Sequence, residues 1–97
     1  MSNVRVAVWN EGVHERVDAK VRELYPNGMG GQIAQYLEKQ EGIASARVCE
    51  MHHDEQGLPD DVLNSTDVMT WWGHKAHKEL TEENVERVHK RVLDGMG

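Results

Sequence analysis

Cysteine is almost absent. In 97 residues only Cys49 occurs, so no internal disulfide can form, which fits a reducing compartment. Long apolar runs are missing as well: none approaches the ~18 residues of a membrane span. The opening Met1-Ser2-Asn3-Val4-Arg5 lacks the basic and apolar regions of a secretory signal. A cytoplasmic protein without a membrane partner is therefore expected. Positive charge is also in deficit, with 11 Lys and Arg against 17 Asp and Glu and a formal charge of -6. No basic stripe remains to hold a phosphate backbone, which excludes nucleic acid as the expected partner. No internal repeat or low-complexity segment is visible. One domain of this size buries only about 60 to 65% of its unfolded surface, so its core should be thin.

What is present is an alternation of strands and helices. Val4 to Trp9 alternates and then runs apolar before Asn10-Glu11-Gly12, which predicts a central first strand. Val13, Val17, Val21 and Leu24 predict a helix from about His14 to Leu24, ended by Tyr25-Pro26-Asn27-Gly28. Gly28, Gly30 and Gly31 then read as a structural turn into a helix over Gln32 to Gln40; without a following Lys-Ser/Thr they make a poor phosphate cradle. Ala46-Arg47-Val48-Cys49 is a less apolar strand, expected nearer an edge, with Cys49 as a small buried residue. His52 and His53 fall in the polar stretch before Asp54-Glu55-Gln56-Gly57 and read as a solvated turn. Pro59 opens a short helix through Asn64, with Val62 and Leu63 as its apolar contacts.

Val68 to Trp72, bounded by Asp67 and Gly73, is an apolar, β-prone run that predicts a buried strand. The last helix starts at Thr81 as N-cap, with Leu80 set to pack on Val85. Val85, Val88, Val92 and Leu93 form its expected buried stripe, and His89 its surface. The whole order predicts an α/β fold with a parallel sheet.

Chemistry concentrates at the strand ends. His74 and His77 follow Gly73 where the third strand should end, and open α/β sheets bind ligands at that rim. His14 has the same relation to the first strand. If the first and third strands are neighbours, His14, His74 and His77 converge with Glu11 or Glu15. Such a set suits zinc, whose open fourth position activates water; a histidine beside a carboxylate also moves protons without metal. The plainer reading has His74 and His77 bonding backbone while both tryptophans fill the core.

The residues Trp9-Asn10-Glu11, His14-Glu15, Tyr25-Pro26-Asn27-Gly28, Thr66-Asp67-Val68, Trp71-Trp72-Gly73-His74 with His77, and Val88-His89-Lys90-Arg91-Val92 through Gly95-Met96-Gly97 resemble the ThuA-like proteins, named for trehalose utilisation. The resemblance runs along the whole chain, and the Trp-Trp-Gly-His-x-x-His block is its most specific part. It implies a flavodoxin-like three-layer fold similar to class I glutamine amidotransferases. It also implies a role in disaccharide catabolism beside sugar-oxidising dehydrogenases. On that resemblance residues 1–97 are the N-terminal portion of a ThuA-like domain. The sheet would then be incomplete, with about three strands and open edges that favour a homo-oligomer.

Some family members carry a histidine where Gly30 stands. No Gly-x-Cys-x-Gly elbow is present, so glutaminase chemistry is not implied. The implied catalytic residues are His14, Glu15, His74 and His77, with Trp9, Glu11 and Trp72 binding sugar. If a metal takes part, His14, His74 and His77 would hold it. Two functions stay open: an enzyme acting on a disaccharide or its keto derivative, and a non-catalytic sugar- or metal-binding subunit that partners a sugar dehydrogenase.

Overall fold

A computed structural model describes residues 4–12, 18–26, 28–73 and 77–97, apart from the side chain of His77. Three parallel strands, β1 (Val4–Asn10), β2 (Ile43–Glu50) and β3 (Val68–Trp72), lie in the order β2-β1-β3. The helices are α1 (Ala19–Leu24), α2 (Gly28–Glu38), α3 (Asp60–Asn64) and α4 (Glu82–Leu93), with short 3-10 turns at Asp54–Gly57 and His77–Glu79. The class is α/β, and the strand order is the flavodoxin-like one in which the second strand lies outside the first and the third on its other side. Among the described residues no helix is long and apolar enough to cross a membrane.

Strand alternation divides the core into two. Ala7 and Trp9 point to one face, where Cys49, Leu58, Val62 and Leu63 join them; Val6 and Val8 point to the other, against Ala34 and Ala46. The layers are therefore α2 on one side of the sheet and α3 with α4 on the other. β1 is buried from Val6 to Asn10 because it has a strand on each side and helices on both faces. β2, with its alternating polar residues, is at an edge as its composition predicts.

Local signals set several boundaries. Asp18 caps α1 by accepting from the amides of Lys20 and Val21 at 3.0 and 3.4 Å. Thr81 caps α4 through the Asn84 amide at 3.3 Å, with Glu82 and Glu83 in the first turn and Lys90 and Arg91 in the last. The helix expected from Gln32 begins at Gly28 instead: Gly28 takes φ 79° to turn the chain, and Gly30 is buried inside the first turns. A Cβ on Gly30 would stand 3.3 Å from Val48 and 3.6 Å from Asn10, so glycine there lets α2 approach the sheet.

Two expectations about burial fail. β3 is not a buried strand: Val68, Trp71 and Trp72 are 37, 38 and 37% exposed. It lies at the edge, and α2 packs mainly over β2 and β1, leaving the Val68 and Trp72 side of β3 beyond its cover. The stripe on α4 is also misplaced. Val85, Val92 and Leu93 are exposed, while Asn84 is buried and Arg87, Val88 and Arg91 are half-buried.

Residues 84, 87, 88 and 91 form one helix face, about one residue of rotation from the apolar stripe. Polar anchors hold that rotation. Arg91 donates to the Leu63 carbonyl at 2.8 Å and the Thr66 carbonyl at 2.9 Å, and Asn84 Nδ2 donates to Gln56 Oε1 at 2.9 Å. Beyond α4, Met96 is buried, and Gly97 donates to the Asp67 carbonyl and accepts from the Met69 amide along β3.

Candidate functional site at the strand ends

The carboxyl ends of the three strands form a row. Asn10 pairs with Glu50 on one side and with Trp72 on the other, so Glu50, Asn10 and Trp72 project from the same face, the α2 side. One step back, Val8 pairs with Thr70, which puts Thr70 on that face too. The tips of β1 and β3 stay joined past the strands, where the Glu11 amide donates to the Trp72 carbonyl at 3.2 Å. This is the switch point of the sheet, since the chain leaves β1 for one neighbour and returns on the other.

Two atoms on this face break the usual rule that buried polar groups are paired. Among the described residues, Asn10 Oδ1 and Thr70 Oγ1 are buried side-chain atoms with no hydrogen-bond partner. Each such group costs about 1–3 kcal/mol relative to a satisfied one. They occupy adjacent strands at diagonal positions, beside the half-exposed ring of Trp72.

The sequence-predicted residues fare differently. Trp9 does not offer a face to a ligand: it is fully enclosed, stacked on Trp71 with centroids 4.0 Å apart and planes 13° apart, and its indole Nε1 donates to the Gln56 carbonyl at 2.8 Å. Glu11 is 1% exposed and held within the protein, so its carboxylate is not open to solvent either. Trp72 does present an exposed ring, and neither Trp71 nor Trp72 fills the core. His14, Glu15 and His74 lie outside the described residues; His77 begins the His77–Glu79 turn, and its side chain lies outside them as well. The adjacency that their convergence requires, β1 beside β3, is present.

At the β2 end, Glu50, His52 and His53 bring one ligating atom each within 4.8 Å of one another. His52 Nε2 is 3.6 Å and His53 Nε2 4.0 Å from Glu50 Oε1, with both imidazoles exposed as the sequence predicts. Cys49, just before them, is buried, and burial pushes its thiol pKa up, which makes it an inert core residue.

A residue missed by sequence reasoning organises this rim. Gln56 takes φ 57° and accepts from the Trp9 indole through its carbonyl. Its amide donates to the Glu79 carbonyl and accepts from the Thr81 amide and Asn84 Nδ2. It thereby ties the turn after β2 to the segment after β3. No periodicity marks such a residue; only its place between Glu55 and Gly57 in a turn hints at unusual backbone.

Comparison with models of known families finds no match, and comparison with curated proteins finds none.

Proposed function

We propose that this protein binds and processes a small polyhydroxylated molecule, a disaccharide or its keto derivative, on the α2 side of the strand-end rim between β1 and β3. The observation that carries the reading is the pair of buried, unpartnered oxygens, Asn10 Oδ1 and Thr70 Oγ1, beside the exposed Trp72 ring. A sugar is amphipathic in the same way, with ring C–H groups that stack on indole and hydroxyls that donate to such oxygens once binding opens the corner that covers them. The ThuA-like resemblance supports the same substrate class. On this reading His14, His74 and His77, with Glu15, supply proton transfer or hold zinc, since their loops leave from adjacent strand ends.

The test is titration of the protein with trehalose and 3-keto-trehalose, followed by tryptophan fluorescence and by product analysis. The reading expects saturable binding that Trp72→Ala weakens at least ten-fold, and turnover of one of the two sugars that His74→Ala abolishes. Absence of binding to both sugars overturns it.

A second reading has its own observation. On the opposite face Trp71, Leu80, Val85, Val88 and His89 line an apolar hollow, and Val92 and Leu93 continue the exposed apolar side of α4. Such a surface suits a subunit that binds sugar without catalysis and docks on a sugar dehydrogenase. Sugar binding without turnover, together with capture of the dehydrogenase that Val85→Glu prevents, selects this second reading.

A further inference from the structure

We infer that Glu50, His52 and His53 form a site for a borderline divalent cation, zinc foremost, at the β2 end of the rim, with ligands other than the residues proposed above to bind sugar. The donor set is two imidazoles and one carboxylate, which favours zinc over magnesium or calcium. The three ligand atoms already lie within 4.8 Å of one another, and His52 Nε2 is 3.6 Å from Glu50 Oε1. Donors around a tetrahedral zinc sit roughly 3.3 Å apart, given metal–ligand lengths near ~2.0 Å. Closing the site needs only small side-chain rotations.

The carboxylate is pre-positioned. Glu50 ends β2, its side chain is 18% exposed, and Oε2 lies against Gly12, where a Cβ would stand at 2.8 Å. That contact leaves Oε1 toward the imidazoles. The turn bearing the histidines is fastened to the same residue: the His53 amide donates to the Glu50 carbonyl at 3.0 Å. Gly57, at φ 76°, passes so close that a Cβ would stand 2.8 Å from the Glu50 carbonyl oxygen. Both imidazoles are more than two-fifths exposed, which leaves the remaining coordination positions open to water or an incoming ligand.

One bond must change on loading. The Glu50 amide donates to His53 Nδ1 at 3.2 Å, so in neutral His53 the proton is on Nε2. A neutral imidazole that binds metal through Nε2 carries its proton on Nδ1, which the Glu50 amide then opposes. Zinc binding therefore replaces that long hydrogen bond, and the Glu50 amide becomes a reporter of occupancy.

The experiment is titration of the full 97-residue chain with zinc alone, without sugar, by calorimetry and by amide NMR. Zinc should bind saturably, with the Glu50 amide among the resonances that shift most. His52→Ala and Glu50→Gln should each weaken binding at least ten-fold, since loss of even a supporting residue typically costs 10–100-fold. His52 is exposed, so His52→Ala should melt within about 2 °C of the parent without zinc and lose the stabilisation that zinc gives the parent. Absence of binding, or a zinc-induced shift of the residue-50 amide that survives either substitution, overturns the site. Because no sugar is present, that failure leaves the sugar-binding reading standing, and loss of sugar binding in Trp72→Ala leaves the zinc site standing.

Discussion

Replacing Thr70 by valine should make this protein more stable and less able to bind its ligand. Thr70 Oγ1 is buried without a partner, so the folded state carries the desolvation cost of a hydroxyl, about 1–3 kcal/mol on the scale of protein substitutions. Valine has the same branched shape and the same preference for strands, so neither the β3 backbone nor the packing opposite Val8 need change. Most of the cost should be recovered, giving a gain of about 1–2 kcal/mol. In a domain of this size each kcal/mol raises Tm by roughly 4–8 °C, well within the precision of a thermal melt. The parallel fluorescence titration should show weaker sugar binding, because the hydroxyl that costs stability while covered is the one that meets the ligand when binding opens this corner. An unchanged or lowered Tm in Thr70→Val would show that the hydroxyl is satisfied, and the main support for the proposed face would go with it.

Other consequences are as direct. Gln56→Ala removes three side-chain hydrogen bonds and leaves Asn84 Nδ2 buried and unpaired, for a loss of about 2–4 kcal/mol. In a double-mutant cycle by urea denaturation, Gln56→Ala and Asn84→Ala should couple by more than ~0.5 kcal/mol; strict additivity would deny the contact. Gly57→Ala forces alanine to φ 76° and sets its Cβ 2.8 and 2.9 Å from the Glu50 backbone oxygen and nitrogen. Left-handed strain of about 1–2 kcal/mol adds to overpacking of about 1–3 kcal/mol, so its urea midpoint should fall steeply, and an unaltered midpoint would contradict the close approach.

Asp67 receives hydrogen bonds from the Arg5 side chain and amide, which hold its pKa down at about 2. A depressed carboxylate stabilises the fold above its ordinary range near ~4 and loses that contribution as pH falls toward 2. Asp67→Asn should flatten the acid limb of a stability-versus-pH curve between those values; an identical limb would remove Asp67 from the balance.

Much of the fold is legible from the sequence, for identifiable reasons. β1 reads as central because it is apolar on both alternations, and it has helices on both faces. Asp18 and Thr81 are strong caps, although only Thr81 is singled out by the Glu-rich turn that follows it. The misreading of α4 has a physical cause. Periodicity finds the most apolar face, but the helix is fixed by Arg91 on two carbonyls at the end of α3 and by Asn84 on Gln56, contacts between residues 25 to 28 positions apart. The exposure of β3 has a related cause: an apolar run reports what a strand is able to bury, whereas its cover depends on where α2 lies.

The candidate site is legible in a different sense. Strand parity follows from the sequence once β1 and β3 are neighbours: Asn10, Thr70 and Trp72 share a face because Val8 pairs with Thr70 and Asn10 with Trp72. The same parity removes Trp9, which stacks on Trp71 on the other side of the sheet. What a sequence cannot carry is hydrogen-bond accounting, and that is what separates these residues from ordinary strand residues. Thr70 is the single polar residue of β3, and Asn10 closes the otherwise apolar Val4, Val6 and Val8 face of β1. In a structure selected for stability alone, a methyl group at Thr70 would serve better. The retained hydroxyl, one strand away from a second orphan and beside an exposed indole, is the kind of cost that ligand recognition explains and packing does not.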